Sequence, residues 1–79
     1  ALIITPTREL ALQIQTELKS FAAGTAIKSA LCIGGVNIIH QIRDLKNNPA
    51  FVIGTPGRLK DLENNGDIRF SSFDAIVLD

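Results

Sequence analysis

Four short runs of apolar residues alternate with three longer segments in which apolar residues recur every three or four positions. The runs occupy residues 1–5, 27–33, 51–53 and 75–78, and each has the length of one buried β-strand. The segments that follow the first three runs have the periodicity of amphipathic helices. Strands that alternate with helices are typical of a parallel sheet covered by helices, so the pattern predicts an α/β fold with one parallel β-sheet and flanking helices.

Glycine and proline mark where the three predicted helices end. We expect the first helix to end before Gly24, which suits the position after a helix C-terminus. The second should stop near Pro49, because the residue before a proline disfavours helical geometry. The third is short and should end at Gly66. The apolar residues expected to face the sheet from these helices are Leu10, Ala11, Ile14, Leu18, Phe21, Ala22, Ile38, Ile39, Ile42, Leu45, Leu59 and Leu62.

Size and charge narrow the classes of function. The chain has 79 residues, so it holds one small domain at most. Eight basic residues balance eight acidic ones, which excludes a surface broadly coated with positive charge. Any site for an anion must therefore be local. The longest apolar runs are also far too short to cross a bilayer.

Cys32 and His40 are weak candidates for chemistry. Cys32 is the only cysteine and lies between two apolar residues, so we interpret it as a buried, inert thiol. His40 has no second histidine or cysteine nearby that would complete a set of metal ligands, so we interpret it as a surface residue.

The tetrapeptide Thr-Pro-x-Arg occurs twice, at residues 5–8 and 55–58, each time between a predicted strand and a predicted helix. Thr is a favoured N-cap, Pro is tolerated at the first helical position, and the next backbone N–H groups lack partners within the helix. Such a helix end can bind an anion, and Arg8 and Arg58 can each add a bidentate contact to phosphate. The alternative is that both are simple caps whose arginines pair with carboxylates such as Glu9 and Asp61.

A third junction of this kind is Gly34-Gly35, which follows the second predicted strand. Two glycines permit positive φ and leave no side chain that would block the approach of another backbone. Because the carboxyl ends of parallel strands share one edge of a sheet, the three junctions should line the same edge. Three such loops in a row suit an extended polyanion better than a single phosphate.

These residues, in this order and spacing, resemble the first RecA-like lobe of DEAD-box ATP-dependent RNA helicases. Residues 6–11 (PTRELA) are similar to motif Ia of that family, Gly34-Gly35 to its GG motif, and residues 55–59 (TPGRL) to its motif Ib. Residues 77–79 (VLD) look like the start of motif II, with Asp79 as its first residue. The resemblance covers essentially the whole chain, and the combination of motifs is far more specific than any one of them.

The resemblance implies that residues 1–79 are a partial RecA-like domain of the P-loop NTPase type that grips RNA. The partner would be single-stranded or duplex RNA, held through its sugar-phosphate backbone and without regard to sequence. The implied RNA contacts are Pro6, Thr7, Arg8, Gly34, Gly35, Thr55, Gly57 and Arg58.

The same resemblance implies ATP and Mg²⁺ as cofactors of an intact parent enzyme, which would couple ATP hydrolysis to unwinding of an RNA duplex. There Asp79 would help to hold the metal. The chain has no Gly-Lys-Ser/Thr loop for the phosphates and lacks most of motif II, so we expect a fragment with neither cofactor nor ATPase activity. The expected location is the cytoplasm, or the nucleus in a eukaryotic cell.

A second hypothesis requires no ligand at all. In this interpretation the chain is a non-catalytic α/β fragment that only folds or self-associates. Its first and last strands would be exposed, and their sheet edges would offer unpaired backbone groups to another copy.

Overall fold

The computed structural model describes residues 1–78, which form a four-stranded parallel sheet with helices on both faces. In chain order the elements are β1 (Leu2–Ile4), α1 (Arg8–Ala22), β2 (Ser29–Cys32), α2 (Ile38–Leu45), β3 (Phe51–Gly54), α3 (Pro56–Asn64), a 3₁₀ turn (Phe70–Ser72) and β4 (Ile76–Leu78). The strand order is β2-β3-β1-β4, and every neighbouring pair is parallel. The predicted α/β fold with one parallel sheet is confirmed.

The first strand lies inside the sheet rather than at its edge. β1 pairs with β3 on one side and with β4 on the other. Backbone hydrogen bonds continue both pairings beyond the strand: the N–H of Val52 donates to the Ala1 carbonyl and the N–H of Leu2 to the Ala75 carbonyl, each at 2.9 Å. The expectation of an exposed first strand is therefore wrong, whereas β4 does occupy an edge.

Each face of the sheet has its own apolar core, because successive side chains of a strand point to opposite faces. One core packs α2 and α3 on the sheet and contains Leu2, Ala30, Cys32, Val52, Leu59, Leu62 and Ile68. The other packs α1 and contains Ala11, Ile33 and Ile53, with Ile14 and Leu18 against them. The predicted inward direction of Leu59 and Leu62 is confirmed, since both are fully buried.

Three residues predicted to face the sheet are exposed instead: Leu10 at 37%, Phe21 and Ile39. Phe21 is 88% exposed in the last turn of α1. A helix of 15 residues is about 22 Å long, whereas four strand residues extend about 13 Å, so α1 projects past the sheet. Ile39 is 70% exposed, because the buried stripe of α2 runs through Ile38 and Gln41 and turns position 39 to solvent.

The ends of the helices follow the predicted signals. α1 ends with Ala23 as its C-cap, and Gly24 follows with φ +82°. α2 ends at Leu45, ahead of Pro49, and Gly66 has φ +81° just after α3. None of the helices in residues 1–78 combines the length and the apolar character that a membrane span requires.

Candidate nucleic-acid interface

The loops after β1, β2 and β3 lie side by side at the carboxyl edge of the sheet. The N–H of Thr5 donates to the Gly54 carbonyl at 2.9 Å, and the N–H of Thr55 donates to the Cys32 carbonyl at 3.1 Å. In register, Gly54 is opposite both Ile4 and Cys32, so the three strands end level with one another. The predicted common edge is confirmed, and we call residues 5–8, 34–36 and 55–58 the strand-end rim.

The two Thr-Pro-x-Arg segments start their helices differently. α3 begins at Pro56 with Thr55 as N-cap, as predicted. α1 instead begins at Arg8, and its N-cap is Thr7, whose hydroxyl oxygen accepts from the N–H of Leu10 at 3.2 Å. Thr5 is buried and donates its hydroxyl to the Thr7 carbonyl at 3.0 Å. The prediction that Thr5 caps the first helix is wrong, because its side chain secures the loop ahead of that helix.

The N-terminus of α3 is the more open of the two helix ends. Thr55 makes no side-chain cap hydrogen bond, and Pro56 has no N–H. The N–H of Leu59 donates to the Thr55 carbonyl at 3.1 Å. The backbone N–H groups of Gly57 and Arg58 are left as the donors of the first turn. Apart from its chain neighbours and the backbone of α3 itself, no atom lies within 4 Å of the place where a Cβ on Gly57 would stand, so this side of the helix end is open to an anion.

Arg8 reaches across the rim to the loop after β2. Its Nη1 donates to the Gly34 carbonyl at 3.4 Å. Gly35 has φ +79°, and a Cβ there would collide with this guanidinium. Glycine at position 35 thus serves both the backbone turn and the placement of Arg8, whereas a Cβ at Gly34 would meet nothing within 4 Å.

Arg58 contacts the other end of the same loop. Its Nη1 donates to the Val36 carbonyl at 3.1 Å and to Oε1 of Gln41 at 3.0 Å. Both arginines therefore bond to carbonyl oxygens rather than to Glu9 or Asp61, the carboxylates named as partners in the alternative interpretation. Among residues 1–78, the recorded hydrogen bonds of the two guanidinium groups go to uncharged oxygens.

Two residues of this region, Gln41 and Gly54, were not predicted from the sequence. Gln41 is buried on α2 and contacts Arg58. In the sequence, its burial is indicated only by its position on the stripe of α2 that faces the sheet. Gly54 ends β3 directly under the rim. A Cβ at Gly54 would lie 2.6 Å from the Cys32 carbonyl oxygen and 2.8 Å from Cγ of Leu59. In the sequence it is indicated only by a glycine directly after the apolar run 51–53, because a glycine in a strand often marks the close approach of another chain segment.

All eight residues implied as RNA contacts lie in the strand-end rim, and each retains accessible surface. Five are exposed and three are half-buried. The exposed ones are Pro6, Thr7, Arg8, Gly35 and Gly57; the half-buried ones are Gly34, Thr55 and Arg58. Asp79, the ninth predicted site residue, lies outside the described residues.

Cys32 lies beneath the rim and is buried, as predicted. Burial raises the pKa of Cys32 from 9.0 to about 12; the nearby Arg58 charge lowers this pKa and Asp44 raises it, both by less than burial does. The thiol is therefore protonated at neutral pH. His40 is exposed, and within residues 1–78 no three side chains of the His, Cys, Asp and Glu types group into a metal site.

Comparison with known proteins finds a family model and relatives that match the chain over its full length or nearly so. The family model described as DEAD/DEAH box helicase matches residues 1–79. The chain is 42% identical over 78 residues to the probable ATP-dependent RNA helicase MG425 homolog of Mycoplasma pneumoniae, which covers 99% of this chain and 17% of the relative. It is 43% identical over 79 residues to ATP-dependent RNA helicase CshA of Listeria monocytogenes, covering 100% of this chain and 15% of CshA.

A solved structure described as a hypothetical ATP-dependent RNA helicase from Sulfolobus tokodaii superposes with a TM-score of 0.90 at 36% identity. The match covers 98% of this chain and 23% of that one. The chain thus spans less than a fifth of the two curated relatives and about a quarter of the solved structure. With a family match over its full length and a shared fold of partly RecA-like α/β type, this chain belongs to the DEAD/DEAH box helicase family.

Proposed function

We propose that this chain supplies an RNA-gripping surface of an ATP-dependent RNA helicase. The strand-end rim would hold the sugar-phosphate backbone, while the parent enzyme couples ATP hydrolysis to duplex unwinding. The observation that carries the proposal is the convergence of Arg8, Arg58 and the open N-terminus of α3 on one edge of the sheet. These are donors for phosphate oxygens spread along an edge, as an extended strand requires.

The rim suits binding without sequence preference. Its donors are guanidinium groups and backbone N–H groups, which contact phosphates and sugars and carry no information about bases. The eleven residues of the strand-end rim also include no aromatic side chain on which a base would stack. Affinity should therefore depend on the number of phosphates neutralised, and it should fall as salt is added.

The residues of this chain do not by themselves fit a Mg²⁺-ATP site. No Gly-Lys-Ser/Thr sequence is present, and the described residues hold no cluster of three metal-ligating side chains. The names of the relatives connect those proteins with ATP dependence. Purified chain should give no ATP turnover above background in a phosphate-release assay.

Fluorescence anisotropy of labelled oligo-U, titrated at low and high salt, tests RNA binding. We expect weak binding that falls with salt, and an Arg58→Ala variant with a salt slope shallower by about 0.7, the value for one phosphate contact on a single strand. Arg69→Ala removes the same charge from an exposed position near Asp67 and Phe73, away from the rim, and should bind as the wild type does. Equal binding by Arg58→Ala and the wild type would reject the proposal.

Self-association is the second candidate function, and the exposure of β4 at the edge of the sheet favours it. Ile76, Val77 and Leu78 are all exposed, and one edge of β4 carries no paired strand among residues 1–78. Such an edge can add a strand from another copy. Size-exclusion chromatography with light scattering tests this: a monomer at all concentrations excludes it, while dimers that bind no RNA favour it over the helicase role.

A further inference from the structure

Gln41 lies between the loop after β2 and the guanidinium of Arg58. It is a buried polar residue of α2, only 3% exposed. Its Nε2 donates to the Ile33 carbonyl at 2.8 Å, and its Oε1 accepts from Nη1 of Arg58 at 3.0 Å. Both ends of the side-chain amide are therefore satisfied in an otherwise apolar layer, which is what a buried polar group requires.

The orientation of this amide follows from its partners. Ile33 offers a carbonyl oxygen, which accepts only, and Arg58 offers N–H groups, which donate only. A reversed amide would place two donors together at Arg58 and two acceptors together at Ile33. Gln41 thus presents its oxygen to Arg58.

The contact with Gln41 determines which N–H groups of the Arg58 guanidinium face outwards. Nη1 carries two protons; one is directed to the Val36 carbonyl at 3.1 Å and the other to Gln41. Two acceptors on one nitrogen fix the plane of the guanidinium, and among residues 1–78 the Nε and Nη2 groups have no acceptor, which makes them the donors for a phosphate. Arg58 is a flexible side chain, so holding it in place before binding reduces the entropy lost when RNA is bound.

We propose that Gln41 is a positioning residue for RNA binding, which holds the Arg58 guanidinium in the orientation that meets the RNA backbone and ties it to the end of β2. Gln41 itself is buried and touches no RNA. This inference rests on the proposed function, because it concerns how Arg58 meets phosphate.

A double-mutant cycle tests the proposal in the oligo-U titration. Gln41→Met keeps the length and volume of the side chain and removes both hydrogen bonds. We expect it to weaken binding by about threefold to tenfold in the wild-type background, and by less than about twofold when Arg58 is already alanine. In an Arg8→Ala background, the matched control, the full effect of Gln41→Met should remain.

A merely structural role of Gln41 predicts a different result. The loss of affinity would then be equal in the wild-type and Arg58→Ala backgrounds, and this outcome overturns the proposal. So does unchanged affinity of Gln41→Met alongside weakened binding by Arg58→Ala. If Arg58→Ala itself binds as the wild type does, the proposed function fails, whatever Gln41→Met does.

A second measurement needs no substitution at position 41. The side-chain amide of Gln41 gives ¹H–¹⁵N signals that report on its contact with Arg58. We expect oligo-U to shift these signals in the wild type and to leave them unmoved in Arg58→Ala. Signals that respond to RNA equally in both chains, or in neither, overturn the positioning role even if Gln41→Met fails to fold.

Discussion

The guanidinium of Arg8 occupies the space that a side chain on Gly35 would need. Gly35 has φ +79°, a conformation that L-residues with a Cβ rarely adopt. Arg8 also donates a hydrogen bond to the carbonyl of Gly34, the residue before it. Gly34 has no such restriction, since a Cβ there would have open space around it. The two adjacent glycines of the rim therefore have different physical reasons to be glycine.

Gly35→Ala should lower the free energy of unfolding by about 1–2 kcal/mol, because it forces a Cβ into the left-handed region. It should also displace Arg8 and weaken oligo-U binding. Gly34→Ala is the matched control and should change stability by less than about 0.5 kcal/mol. Urea denaturation followed by circular dichroism measures both, and equal stabilities of the two variants would contradict the distinction.

Gly54→Ala should destabilise the chain by about 1–3 kcal/mol, the usual range for adding a group to a packed core. The new methyl would press on the backbone of Cys32 and on Leu59, and neither the strand pairing nor α3 can move without cost. Thermal unfolding measures the loss. A melting temperature equal to that of the wild type would show that α3 moves away from the sheet freely.

The two N-cap threonines should respond differently to alanine. Thr7→Ala removes the hydroxyl that accepts from the N–H of Leu10 and should cost about 1 kcal/mol. Thr55→Ala removes no capping hydrogen bond and should cost clearly less. Urea denaturation of both variants provides the comparison, and a greater loss for Thr55→Ala would show that its cap forms in solution.

The sequence predicts well those features that follow from the hydrophobic periodicity and from the topology of a parallel sheet. Alternation of strands and helices implies a parallel sheet, and a parallel sheet brings the carboxyl ends of its strands to one edge. These two rules are enough to place Arg8, Gly35 and Arg58 at the same edge. Neither inference needs a particular side-chain contact.

The features that the sequence did not predict depend on particular contacts rather than on periodicity. Phe21 is exposed because the strands beneath α1 are short, and no periodicity reveals the length of a neighbouring element. Thr5 does not cap α1 because its hydroxyl is taken up by the Thr7 carbonyl. Gln41 resembles any other polar residue of a helix until α3 places Arg58 beside it.

Cys32 should show the chemistry of a thiol whose pKa is raised to about 12. The native chain should react with a thiol reagent at pH 8 far more slowly than the urea-unfolded chain, because the thiolate is the reactive form. The sign of the pH dependence follows. The folded thiol keeps its proton above pH 9.0, the ordinary value, while the unfolded one loses it. This residue's contribution to stability is therefore complete below pH 9 and is lost as the pH rises towards 12.

Chemical denaturation of the wild type and Cys32→Ala between pH 8 and 11 isolates this contribution. The variant is less stable at pH 8, because it leaves a small cavity, but its stability should fall less steeply as the pH rises. Parallel curves for the two chains would contradict the raised pKa.

Gly57→Ala distinguishes RNA binding by the open N-terminus of α3 from RNA binding by the two arginines. Alanine fits this position, where a Cβ meets no atom within 4 Å, and it should stabilise the chain by about 0.5–1 kcal/mol because it suits a helix better than glycine. If the phosphate backbone of RNA contacts the N–H groups of this first turn, the methyl obstructs it and oligo-U affinity falls. The salt slope should stay close to that of the wild type, because no charge is removed, whereas Arg58→Ala should reduce it. A more stable variant with weaker binding and an unchanged slope would therefore locate a phosphate at the helix end itself, and unaltered affinity would place the RNA on the arginines alone.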